Sequence, residues 1–181
     1  MTRTQIALIR GINVGKAKRV AMADLRALVE GLGYRDVRTL LNSGNVVFSV
    51  PGASRADAAP RIEQALAKKL GVTARVTVLT AAELAAAVKG NPLLKVAQDP
   101  SRLLVTVLAK PADRARLDAL VKEDWAPDVL AVGKRVAYLW CASGILESRL
   151  NIAVSRTLGD GATSRNWATL LKLKALVDEP R

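Results

Sequence analysis

The chain has 181 residues, half of them apolar by a wide count, with 28 Lys and Arg against 16 Asp and Glu and no histidine. That length suits one domain or two small ones with a sizeable core, and a balance of +12 turns the molecule towards anionic partners, nucleic acid first. With no histidine and a single cysteine, Ser-His-Asp and Cys-His triads, imidazole or thiolate zinc sites and an internal disulfide are all excluded.

The predicted elements alternate between strand and helix. "TQIALI" (Thr4 to Ile9) is a short apolar strand, followed by the loop "RGINVGKAKRV". Leu25, Leu28, Val29 and Leu32 then recur at helical spacing, with Gly33 as the stop. "VRTLL" and "VVFSV" flank "NSGN", where Asn and Gly suit a tight hairpin. A helix with Ile62, Leu66 and Leu70 on one face leads from Pro60 to Gly71, and "RVTVLT" alternates as a strand. This order, β-α-β-β-α-β, is the split unit of ferredoxin-like folds.

The second half nearly repeats it. Thr80 and Glu83 form a capping-box pattern that opens a linking helix. "RLLVTVLA" is a strand. "PADRARLDALVKED" is a helix with Leu117, Leu120 and Val121 inward, and "DVLAVG" and "RVAYLWC" form a hairpin around Gly133 and Lys134. Two helices close the chain, "ILESRLNIAVSRTL" and "SRNWATLLKLKALV", the second standing where a fourth strand would complete the repeat. The expectation is an α+β protein of two ferredoxin-like (βαββαβ-type) subdomains with C-terminal helices, spanning residues 1–80 and 81–181.

No apolar run approaches the roughly 20 residues of a membrane span, and "IALI" is too short for a signal-peptide core. One cysteine fits a reducing compartment. A cytoplasmic protein without membrane association is expected. The acids are scattered, and the tight pairs Glu123-Asp124 and Asp178-Glu179 fall near helix ends, so neither a metal site nor a cofactor is expected. Cys141 ends an apolar strand and suits the core, and Tyr34 and Tyr138 sit in packing patterns.

Two stretches combine backbone donors with cations and lack acids. In the opening loop, Gly11 and Gly15 stand beside Arg10, Asn13, Lys16, Lys18 and Arg19. The P-loop pattern fails there: three residues rather than four separate the glycines, and Ala17 follows Lys16 where a hydroxyl is needed. What remains is a generic anion-binding loop, or a solvated crossover. In "ATSRNWATLLKL", Thr163 or Ser164 would cap a helix whose dipole, with Arg165 and Asn166, suits an anion. Trp167, Leu170, Leu171 and Val177 would face inward. The two stretches are expected to share one anion-sized site, with Arg10 and Arg165 as clamps, Asn13 and Asn166 orienting, and Arg149 as a weaker third cation.

The chain resembles the DUF1697 family of uncharacterised bacterial proteins. The resemblance rests on "RGINVG", the "M-x-DLR" helix start, "SGNVVF", Ser148 to Leu150 and "RNW-x-T", and runs over essentially the whole chain. It implies an α+β fold of two subdomains and supplies no catalytic residues. Where relatives often carry a second glycine and an asparagine in the opening loop, this chain has Lys16, Ala17 and Lys18.

Three classes of function follow. The first is a phosphate- or polyanion-binding protein, with nucleic acid as a partner held through phosphates, since Phe48 alone offers weak stacking. The second is an enzyme on a small phosphorylated or carboxylated substrate, using Arg10, Asn13, Arg165 and Asn166 for charge stabilisation but lacking an evident general base. The third is a protein-interaction module. The cation excess leans to the first half, +8 in residues 1–80 against +4 in the rest, which favours the first class.

Overall fold

The structure, a computed structural model, describes residues 3–52 and 57–180. It is a mixed α+β protein whose described residues form two four-stranded sheets and six α-helices. The chain divides into two compact units, Met1–Leu84 with Leu173–Arg181, and Ala85–Lys172.

The first unit runs β1 (Arg3–Ile9), α1 (Met22–Gly31), β2 (Arg35–Leu40), β3 (Asn45–Val50), α2 (Ala58–Leu70) and β4 (Val76–Thr80). Its sheet has the order β2-β3-β1-β4, antiparallel throughout. Strand β1 is central, with Ile6 opposite Val47 on one side and Leu79 on the other. Ala7, Ile9, Val46, Phe48 and Val76 build a core with Leu25, Leu28 and Val29 of α1 and Ile62 and Leu66 of α2. These helical residues are the ones that helical spacing selects. Phe48 stacks at an angle on Tyr34, ring centroids 4.7 Å apart.

Local chemistry sets the element ends. Asp57 accepts the Ala59 N–H at 3.1 Å at the start of α2, and Gly71 closes that helix in the left-handed region at φ 64°. In the β2–β3 hairpin the positive φ values belong to Leu41 and Gly44, not to the asparagines. Asn45 instead buries its amide, which donates to Leu40 O at 3.0 Å and Ser43 Oγ at 2.9 Å. Gly44 is required twice over: its φ is +81°, and a Cβ there would stand 2.9 Å from Ile9 Cβ and Ile12 Cδ1. The terminal segment is fastened to this unit by Arg38, which donates to Glu179 Oε2 at 2.9 Å and Leu176 O at 2.7 Å.

Helix α3 (Ala81–Lys89) crosses the boundary between the units. Its capping box is reciprocal: Glu83 Oε2 accepts the Thr80 N–H at 2.8 Å and Thr80 Oγ1 accepts the Glu83 N–H at 3.1 Å.

The second unit contains β5 (Leu103–Leu108), α4 (Asp118–Val121), β6 (Val129–Val132), β7 (Val136–Trp140), α5 (Arg149–Leu158) and β8 (Ala162–Asn166). Its antiparallel sheet has the order β6-β7-β5-β8. Leu104, Leu108, Ala137, Leu139 and Cys141 pack with Leu117 and Leu120, and with Leu150, Val154 and Leu158 of α5. Buried Tyr138 donates its hydroxyl to Ala87 O at 2.6 Å.

Five expectations are corrected here. A fourth strand is present: "ATSRN" is β8, paired to β5 from Leu104↔Asn166 to Leu108↔Ala162, and not a helix start. The hydroxyls of Thr163 and Ser164 read as caps, but Asn166 is the cap, its Oδ1 accepting the Thr169 N–H at 2.9 Å ahead of α6 (Trp167–Asp178). On α6, Leu171 is exposed, while Trp167, Leu170 and Leu173 are buried. The stretch after β5 is mostly a 3-10 helix, Pro111–Leu117, with only the four residues of α4 in α form. Leu117, at the end of the 3-10 helix, and Leu120 of α4 are buried, while Val121 is exposed.

Among the described residues, no helix is long and apolar enough to cross a membrane, and no group of three or more acids or cysteines is placed to hold a metal ion.

Candidate functional site

The opening loop leaves the central strand β1 and returns at α1. Its two ends are anchored by apolar side chains, Ile12 and Val20, both buried. Between them Asn13 organises the backbone. Its amide nitrogen donates to Val20 O and Asn42 O, both at 2.8 Å, and its Oδ1 accepts the Val20 N–H at 2.8 Å. The Asn13 N–H in turn reaches Lys18 O at 3.1 Å. Asn13 thus ties the loop across its own neck and to the β2–β3 turn. Gly44 of that turn bonds the Ile9 N–H through its carbonyl at 2.8 Å, so the two turns are latched together.

The loop's backbone changes hand at alternate residues. Gly11, Asn13 and Gly15 have φ of 69°, 55° and 62°, while Ile12 and Val14 between them lie outside the positive-φ set. Alternating right- and left-handed residues are the backbone pattern of anion-binding nests, although here the Asn13 N–H is itself engaged by Lys18 O. Lys18 is a further left-handed residue at φ 50°. Positions 15 to 19 are exposed, and among the described residues the side chains of Lys16, Lys18 and Arg19 make no ion pair or hydrogen bond. Elsewhere in this unit Glu30 pairs with Arg26 at 3.6 Å, and Glu63 with Arg75 at 3.4 Å and the Val76 N–H at 2.8 Å. Arg10 is half-buried, and its N–H donates to Arg75 O at 2.9 Å.

The second stretch belongs to the other unit. Arg165 lies on β8 opposite Val105, and its guanidinium donates to Ser164 O at 2.9 Å. Burial pulls its pKa down to about 10, so it keeps its charge at neutral pH. Asn166 serves α6 as its cap.

The sequence did not reveal a polar node in the second unit. Asp128 accepts from Ser148 Oγ at 2.6 Å and from the Ala142 N–H at 2.8 Å, while Ser148 Oγ accepts the Asn151 N–H at 3.0 Å. The cap from Ser148 to Asn151 is a readable spacing, but Asp128 is brought in by the sheet from twenty residues away. Cys141 is fully buried in the adjoining core, and burial pushes its thiol up, away from the reactive thiolate.

A search of curated protein sequences finds no match to this chain. Among solved structures, the fold is similar to that of the conserved bacterial protein SP0830 from Streptococcus pneumoniae, with a TM-score of 0.80 over 98% of this chain and 100% of that one at 21% identity. Residues 1–138 match the model of a protein family of unknown function, and the chain belongs to that family, DUF1697.

Proposed function

We propose that this chain binds phosphate-bearing anions through the loop from Arg10 to Arg19. The observation that carries the reading is the alternation of hand at Gly11, Asn13 and Gly15, beside three exposed cations with no acidic partner among the described residues. Asn13 supports the site by holding the loop's shape rather than by touching the ligand, since its amide is engaged within the protein. Gly11, Gly15 and Lys16 supply the concavity and its nearest charge, and Arg10 a guanidinium at its entrance. Local bonds account for Asn166 and engage Arg165, so the reading rests on the loop. The strand orders β2-β3-β1-β4 and β6-β7-β5-β8 support a ferredoxin-like description of each unit. Nucleic acid fits as a ligand through its phosphates alone. The one phenylalanine of the sheet is buried against Tyr34 and offers no stacking surface.

The test is an NMR titration with inorganic pyrophosphate. The amides of residues 11 to 18 shift and saturate, and Lys16→Ala with Lys18→Ala weakens the binding about tenfold or more. Shifts scattered over the surface, or unaffected by the double substitution, refute the site. With duplex DNA, each phosphate neutralised contributes a slope of about −0.9 in log K against log salt. Binding to DNA that ignores salt refutes the phosphate-directed mode.

A further inference from the structure

The second unit carries a shallow surface depression along α5. It has a volume of about 390 Å³ and is lined by Trp125, Arg149, Ile152, Ala153 and Arg156. Four of these residues come from α5 at positions i, i+3, i+4 and i+7, so they form a single stripe along the helix. The fifth, Trp125, is held by its indole nitrogen, which donates to Leu120 O at 2.7 Å. The ring is therefore fixed before any ligand arrives.

The lining is chemically divided. At one end the Arg149 guanidinium carbon stands 6.0 Å over the Trp125 ring. Direct stacking brings planes to about 3.5–4.0 Å. A planar ring between indole and guanidinium needs about 7–8 Å, so the exposed Arg149 side chain swings outward by about 1–2 Å to admit one. At the other end Arg156 lies two helical turns further, about 10 Å along the axis. Ile152 and Ala153 form an apolar floor between them. Neither arginine has a carboxylate partner among the described residues. A ligand that satisfies all three parts has a planar ring, a spacer with an apolar face and a terminal anion with several acceptor oxygens.

We infer that this stripe is a binding site for a nucleoside monophosphate, with the base between Trp125 and Arg149 and the phosphate on Arg156. Base stacking on indole and guanidinium planes is general chemistry, and a guanidinium takes two phosphate oxygens at once. The site is independent of the opening loop and stands or falls without it.

The experiment follows the indole N–H resonance of Trp125, assigned by its loss in Trp125→Phe, during titration with AMP, adenosine and inorganic phosphate. AMP shifts this resonance to saturation, while those of Trp140 and Trp167 stay in place. Adenosine and phosphate alone bind at least tenfold more weakly. Arg156→Gln, on an exposed helix face, weakens AMP about tenfold and leaves adenosine unchanged. Arg149→Gln weakens both. No saturable shift with AMP overturns the proposal, as does phosphate binding as tightly as AMP, or AMP binding that both arginine variants leave intact.

Discussion

Asn13→Ala is the substitution that most directly interrogates the opening loop. The side chain closes three hydrogen bonds, to Val20 O, to Asn42 O and from the Val20 N–H, each 2.8 Å long. Neutral bonds contribute about 0.5–1.5 kcal/mol each. The bond to Asn42 is exposed and belongs at the low end. Alanine must also hold φ near 55°, where a Cβ costs about 1–2 kcal/mol and where asparagine is better tolerated. The combined loss is about 2–4 kcal/mol. For a chain of this size, that lowers Tm by several degrees. Urea unfolding followed by far-UV circular dichroism measures it. Asn13→Gly separates the two contributions, because glycine accepts the left-handed backbone but makes none of the three bonds. It is expected to fall between wild type and alanine. If Asn13→Ala lies within about 0.5 kcal/mol of wild type, the side chain does not hold the loop and the preformed concavity has no support.

Gly44→Ala is expected to destabilise by about 2–4 kcal/mol, the sum of a left-handed Cβ and contacts of 2.9 Å with Ile9 and Ile12, and an unchanged urea midpoint contradicts this. Cys141 is fully buried with its thiol raised above 9.0, so in native buffer it resists Ellman's reagent and reacts only in urea. Rapid labelling of the folded protein disproves the placement. The Asp99 carboxyl is held below its ordinary 3.8 by the Ser101 hydroxyl at 2.6 Å and the Ser101 N–H at 2.9 Å, with Arg102 beside it. A depressed folded value means that this turn is favoured at neutral pH and loses that contribution as pH falls through the folded pKa. Ser101→Ala returns the NMR-measured pKa of Asp99 towards 3.8, and an unmoved value rejects the assignment.

Elements whose residues repeat at a fixed period were legible from the chain alone. Leu25, Leu28 and Val29, or Ile62 and Leu66, announce their helices because burial itself selects the spacing. Strand β8 was not legible. "TSRN" holds good capping residues and, Thr163 apart, only weak strand formers, and it becomes a strand because β5 presents an open edge to pair with. The 3-10 helix at Pro111–Leu117 was hidden for a related reason. A three-residue and a 3.6-residue period cannot be told apart over two turns. At the opening loop, glycines and cations mark the place, but the part played by Asn13 depends on Asn42, twenty-nine residues away. The stripe on α5 was half visible, since Arg149 and Arg156 share a helix. Trp125 joins them only through the tertiary fold.

The clamp of Arg38 on Leu176 and Glu179 bears on the order in which the molecule is made. Every strand of the first sheet has been synthesised by Thr80, yet the partners of Arg38 follow almost a hundred residues later. During translation the first sheet therefore waits, with β2 lacking that clamp, while the entire second unit emerges from the ribosome. Leu176 and Glu179 thus complete a clamp on a strand that was made well over a hundred residues earlier.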